Sequence, residues 1–184
     1  MKIIRNTIPI SDLFNLMVES ELTINRTYQR SEGLWPLNAR SYFIDTLLNE
    51  FPFPKIVIRQ VVDLKTKKTK REIIDGQQRL TTIKDFIEDK LKLSNVSRDY
   101  RGCQFSDLPD DAKSKFLGYE VSTDTVISAT DDEVLEIFRR INSYTLHLKN
   151  QRKGTRPIRA SSGGSSKICL IYTLLCLTGT RFLL

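Results

Sequence analysis

The run Ile73-Ile74-Asp75-Gly76-Gln77-Gln78-Arg79-Leu80 has no room for a loop between two kinds of periodicity. Before it, residues 70–75 read as a short buried strand. After it, Leu80, Ile83, Phe86, Ile87 and Leu91 recur at helical spacing. A strand that turns directly into a helix presents unpaired backbone N–H groups and the positive end of the helix dipole, and this combination accepts phosphate. Gly76 permits a ligand to approach the backbone closely. Arg79, in the first turn, stands where the dipole disfavours a cation, and a bound anion is the simplest compensation. The same residues also fit a plain capping box of Asp75 and Gln78 with Arg79 in solvent.

The rest of the chain fits around this junction. A strand over 3–10 leads into a helix capped by Ser11-Asp12, with Leu13, Phe14, Leu16, Met17 and Val18 inside it. Residues 21–27 alternate as a strand, and a loop with Gly33, Trp35 and Pro36 follows. Asn38 is placed to cap a helix with Phe43, Ile44, Leu47 and Leu48 on one face, and Phe51-Pro52-Phe53-Pro54 ends it. Residues 55–63 and 70–75 form a hairpin through the basic run Lys65, Lys67, Lys68, Lys70 and Arg71. A short helix after Pro109 and a strand over 119–127 come next. Thr130 and Glu133 then form a capping box for a helix with Val134, Leu135, Phe138 and Ile141 inward.

Composition excludes several chemistries. Of 29 Lys+Arg, seven fall in residues 149–184, which contain no acid, so residues 1–148 balance at 22 basic against 22 acidic residues. The net charge of +7 therefore belongs to the tail. Three cysteines are too few for a disulfide framework, and with no apolar leader at the N-terminus a cytoplasmic protein is expected. The single histidine, His147, denies the chain His-paired zinc sites and Ser-His-Asp triads. Asp63-Leu64-Lys65 is a fragment of an Asp-x-Lys nuclease pattern, but on a charged hairpin it reads as solvated surface.

Tyr28-Gln29-Arg30 followed by Trp35, then Asp75-Gly76-Gln77-Gln78-Arg79, then Phe138-Arg139-Arg140-Ile141-Asn142 form an ordered set of three motifs. This set resembles the N-terminal domain of GmrSD-type restriction endonucleases, also called domain of unknown function 262, over about residues 1–148. The resemblance implies an α+β, ParB/sulfiredoxin-like fold with a mixed sheet and flanking helices, in which a Gly-x-x-Arg turn before a helix holds nucleotide phosphates. Sulfiredoxin carries a reactive Cys after that Gly; Gln77 stands here, so redox chemistry is not implied. What is implied is a domain that binds and hydrolyses a nucleoside triphosphate with Mg²⁺ and licenses DNA cleavage by an associated HNH nuclease domain or subunit. Arg30 and Arg79 would neutralise phosphates by bidentate contact, and Gly76, Gln77, Gln78 and Thr81 would cradle them. Asp75 would hold Mg²⁺ or orient a water, or serve only as the helix cap. Arg140 and Asn142 would reach the nucleotide or cap their own helix. Tyr28 and Trp35 fit core packing as well as base stacking. The alternative function is a non-catalytic ParB-like module that binds DNA or a protein through the same turn.

Beyond residue 148 the acids vanish, apolar periodicity is lost, and the Gln-Glu segment and nuclease half that the family carries do not follow. Residues 149–184 are therefore expected to be a truncated, disordered or out-of-frame tail, with a lineage-specific basic tail as the alternative. The apolar run over 168–177 is shorter than the ~20 residues of a bilayer span, so no membrane partner is expected. The charge balance of residues 1–148 generates a prediction: this fragment binds plain duplex DNA weakly. Each phosphate contact contributes about −0.9 to the slope of log K against log salt, so a slope of about −6 or steeper would reveal a folded basic face.

Overall fold

The computed structural model describes residues 1–24, 35–63 and 67–151, the side chains of Asp63, Lys68 and residues 144–151 excepted. Within them five strands form one sheet in the order β1-β5-β3-β4-β2: β1 Lys2–Pro9, β2 Leu22–Ile24, β3 Ile56–Asp63, β4 Lys68–Asp75 and β5 Glu120–Ile127. The sheet is mixed. The pairs β1/β5 and β3/β4 are antiparallel, while β2/β4 and β3/β5 are parallel. The helices are α1 Ile10–Val18, α2 Leu37–Leu48, α3 Gln77–Ile87, α4 Asp110–Gly118 and α5 Asp131–Gln151. This is the α+β class expected from the sequence.

Alternation along β3 divides the interior in two, as a period of two dictates. Ile56 and Ile58 join the main core with Ile10 and Leu13 of α1, Phe43, Ile44 and Leu47 of α2, Leu80, Ile83 and Phe86 of α3, and Phe116 of α4. Phe86 anchors it, packing edge-on against both Phe105 and Phe116. Val57 faces the other way, into a smaller cluster with Ile74, Val126, Ala129 and Val134. One face of the sheet thus carries α1–α4 and the other carries α5.

Arg59 fixes where α5 begins. Its Nε and Nη2 donate to the Ala129 carbonyl at 3.2 and 2.8 Å, while Nη1 pairs with Glu72 Oε2 at 3.3 Å and Asp131 Oδ1 at 2.7 Å. The expected capping box follows at once. Thr130 N–H donates to Glu133 Oε2 at 2.9 Å, and Glu133 N–H donates to Thr130 Oγ1 at 3.3 Å. The inward face of α5 is Val134, Ile137, Phe138 and Ile141. Ile137 takes the place expected for Leu135, chosen by the packing of α5 on Val57 and Val126. The helix passes residue 148 without a break and continues to Gln151.

Two caps differ from expectation. Pro9 and Pro36 occupy the N-cap positions of α1 and α2, so Ser11 and Asn38 lie inside their helices and cap nothing. Proline lacks the N–H that a helix start cannot use anyway, which makes it an acceptable entry residue. Leu91 lies past the end of α3 yet is buried in the main core, carried there by the loop. Leu64 and Lys65 of the hairpin, Tyr28, Gly33 and residues 152–184 lie outside the described residues. Among the described residues no helix is long and apolar enough to cross a membrane.

Asp45, on α2, is half-buried, and burial pushes its carboxyl above the usual value of 3.8, although the Ser97 hydroxyl donating to Oδ1 at 2.7 Å opposes the shift. A carboxyl raised in the folded state contributes most below its unfolded pKa, and that contribution is lost as pH rises through the folded value. Asp45→Asn should therefore stabilise the protein at pH 7, with the gain shrinking toward pH 3. Urea melts at the two pH values check this; a gain that is larger at pH 3 would contradict it.

Candidate functional site

Asp75 is the last residue of β4 and Gln77 the first of α3, so Gly76 alone makes the turn. Its φ of 102° and ψ of 12° lie in the left-handed region. A Cβ there would also stand 3.0 Å from Ile56 Cγ1 and 3.3 Å from Arg79 Nη2. Glycine is required twice over, by conformation and by space. On the opposite strand the register shifts between Val57 and Ile58, and this irregularity pairs Val57 with Asp75.

The space left by the missing Cβ is taken by Ile56 and Arg79. The Arg79 side chain folds back beneath the turn, and only 11% of it is exposed. Nη2 donates to Asp75 Oδ2 at 2.8 Å, Nη1 donates to the Pro54 carbonyl at 2.5 Å, and the guanidinium carbon stands 5.9 Å from the centre of the Phe53 ring. The solvated arginine of the simpler reading is therefore corrected: Arg79 is buried and joins the end of β4, the start of α3 and the segment before β3. The Asp75–Gln78 capping box is corrected too. The N-cap is Gly76, which has no side chain to offer, and Gln78 Oε1 instead accepts the Trp35 N–H at 3.1 Å.

That last bond brings a second helix to the site. Trp35 stands just before α2 and meets the first turn of α3; farther along, Arg40 of α2 pairs with Asp85 of α3 at 2.5 Å. The residue two before α2 thus sits at the first turn of α3, and the first turn of α2 reaches the last turn of α3 through Arg40. Neither N-terminus has a side-chain cap, and neither has an acid in its first turn. By contrast α4 opens on Asp110 and Asp111, and α5 on Asp131, Asp132 and Glu133. The start of α3 therefore has no acid within its own first turn, with the Asp75 carboxylate just ahead of the Gly76 turn.

The structure brings together Asp75, Gly76, Gln78 and Arg79, with Gln77 partly exposed at the first helical position and Thr81 partly exposed on the next turn. Thr82, the neighbour of Thr81, is buried and turned inward, its hydroxyl donating to the Gln78 carbonyl at 2.7 Å. Arg140 and Asn142 are elsewhere. They lie on α5, across the sheet from α3, where Arg140 pairs with Glu136 at 2.7 Å and Asn142 donates to the Phe138 carbonyl at 2.9 Å. Their link to the turn is indirect: Phe138 and Ile141 pack in the cluster that holds Ile74 and Val57, the chain neighbour and register partner of Asp75. Arg30 lies outside the described residues.

Sequence reasoning missed Phe53 and Pro54, treating Phe51-Pro52-Phe53-Pro54 only as a helix stop. The segment carries its own signal, since an aromatic between prolines is fixed in φ on both sides and leaves carbonyls unused by any helix. Phe53 extends an aromatic chain, edge-on to Phe43 and stacked on Tyr119, and Phe43 in turn meets Trp35 edge-on. Trp35 is thus packed through its ring and held through its backbone. Asp75 is a single carboxylate with one oxygen on Arg79, and no group of three or more His, Cys, Asp or Glu among the described residues could hold a metal. These donors fit a cation that arrives on phosphates, with Asp75 as its one protein oxygen, rather than a protein-built cage.

The geometry predicts that Gly76→Ala and Arg79→Ala each lower stability by about 1–3 kcal/mol, one through a strained left-handed turn and a clash, the other by orphaning Asp75 and the Pro54 carbonyl. Chemical denaturation measures both. An unchanged midpoint for Arg79→Ala would mean that the clamp carries no stability.

Comparison with known proteins gives one family. The profile of the GmrSD restriction endonuclease, N-terminal domain, matches residues 10–153, well over half of the chain, and includes the turn, both helices that meet there and α5. No curated protein and no solved structure matches. The chain belongs to the GmrSD restriction endonuclease N-terminal domain family, which ties it to restriction and phage defence.

Proposed function

We propose that the domain is the nucleotide sensor of a restriction system: it binds a nucleoside triphosphate with Mg²⁺ at the Gly76 turn, hydrolyses it, and so licenses an associated HNH nuclease to cut DNA. The observation that carries this reading is the start of α3 at the left-handed Gly76 turn, with no capping side chain and no first-turn acid, directly above the buried Arg79. Backbone N–H groups of Gly76, Gln77 and Gln78 are the phosphate donors, as at other helix-start anion sites. Arg79 supplies positive charge from beneath, using two of its five N–H donors on protein partners. Thr81 lies a turn further along α3, and Arg30, which the family resemblance assigns to the phosphates, is the second arginine of the reading. Mg²⁺ supplies charge neutralisation on the phosphates, with Asp75 as its protein ligand or as the group that orients the attacking water. Arg140 and Asn142 act from α5 through the cluster under Ile74.

A second reading rests on the same arginine. Because Arg79 is already paired with Asp75 and Pro54, the turn is also suited to a purely structural role in a non-catalytic ParB-like module that binds DNA or a protein.

Calorimetry with ATP and GTP in the presence of Mg²⁺ separates the two. Since Arg79→Ala disturbs the fold, the informative variant is Gln77→Glu, which places an acid at the first helical position, where it favours the helix and repels phosphate. The nucleotide reading predicts binding by the wild type and a loss of about tenfold or more in the variant, with no fall in melting temperature. Absence of binding in the wild type, or equal binding by both, contradicts it.

A further inference from the structure

We propose that the outer edge of β1 is a self-association surface, on which β1 of a second copy of this chain pairs antiparallel and joins the two five-stranded sheets into one. β1 stands at one end of the sheet and runs beside β5 over Lys2–Pro9 with no shift of register. The Ile10 N–H donates to the Tyr119 carbonyl, and the Asn6 carbonyl accepts the Thr123 hydroxyl, so even-numbered residues of β1 turn their backbone groups toward β5. Ile3, Arg5 and Thr7 turn theirs outward, and among the described residues none pairs with them. Proteins ordinarily blunt such an edge with a short strand, a bulge, an internal proline or a charge. β2, at the opposite edge, is only three residues long. β1 has eight residues, and its one proline, Pro9, ends it.

The two cations of β1, Lys2 and Arg5, select the register of this pairing. A two-fold axis centred on Arg5 would set that residue against itself. Centred on Asn6, it would bring Pro9, which has no N–H, into the ladder. Centred on Ile3, it would pair residues 1–5 alone. An axis centred on Ile4 sets Ile3 opposite Arg5 of the other copy, Lys2 opposite Asn6 and Met1 opposite Thr7, so each cation faces a neutral residue. Asp124, in register with Arg5 on β5, adds an acid beside it, although Asp124 also pairs with Lys55. This register also gives neighbours to Met1 and Ile3, which are 62% and 49% exposed. The axis stands perpendicular to the sheet, so α1–α4 of both copies stay on one face and α5 of both on the other.

The test is sedimentation of the full chain over a range of concentrations, with hydrogen exchange of single backbone amides as a second measurement. The expected result is a dimer that dissociates on dilution, in which the N–H groups of Ile3, Arg5 and Thr7 are protected like those of Ile4, Asn6 and Ile8. Ile3→Lys sets a cation opposite Arg5 of the other copy, a contact that symmetry repeats, and should weaken the dimer by about tenfold or more. Adding Arg5→Glu to that variant makes the same pair opposite in charge and should restore the dimer; melting temperatures report the fold of each. Should the variants not fold, amide exchange in the wild type decides alone. A wild type that stays monomeric overturns the proposal. If its Ile3, Arg5 and Thr7 amides are nevertheless protected, the chain's own residues cover the edge. A dimer that Ile3→Lys leaves intact forms elsewhere or in another register, and contradicts the pairing as well.

Discussion

Arg79 is the residue around which the Gly76 end of this domain is arranged. A guanidinium that is nearly buried must have its charge answered, and here the answer comes from two different parts of the chain, the Asp75 carboxylate and the Pro54 carbonyl. The segment entering β3, the end of β4 and the first turn of α3 are therefore held as one piece. Gly76 makes this possible by lacking the Cβ that would press on Ile56 and on the arginine itself. The three residues fit together: the glycine gives the space, the arginine shares it with Ile56, and the aspartate pairs with the charge that results.

On this clamp rests the orientation of two helices. The Trp35–Gln78 bond and the Arg40–Asp85 pair hold α2 against α3 next to the turn. A helix start is ordinarily relieved by acidic first-turn residues, as at α4 and α5 here. The first turns of α2 and α3 carry none. Across the sheet, α5 is a separate layer placed by Arg59 and packed on Val57 and Ile74. The two layers meet in the backbone of β3 and β4 next to Asp75, which is how residues on α5 come to share a structural unit with the turn without touching it.

Much of this was legible in the sequence, for identifiable reasons. The strands and helices followed from periodicity, and the Thr130–Glu133 capping box is present as read because its partners are three residues apart and nothing distant competes for them. The strand-to-helix turn at Gly76 was legible because only glycine serves a positive φ in so tight a space. What sequence could not show is where a polar side chain goes once the chain has folded. Arg79 finds Pro54, 25 residues back, and Gln78 finds Trp35, 43 residues back, and both bonds replace the local caps that spacing suggested. Leu135 and Ile137 are equally apolar, and only the packing of α5 on Val57 and Val126 chooses between them. The three family motifs were read as one constellation; the structure places the second at the turn and the third on the far face, linked through Ile74.

The most direct test of the account is where on the backbone a polyphosphate acts. Titration of ¹⁵N-labelled protein with inorganic tripolyphosphate, followed by amide chemical shifts, reports each N–H separately. The account predicts that the largest changes fall on Gly76, Gln77 and Gln78, with Trp35 responding through its bond to Gln78. Changes confined to the basic hairpin at Lys67–Arg71, or no change at the start of α3, would contradict it.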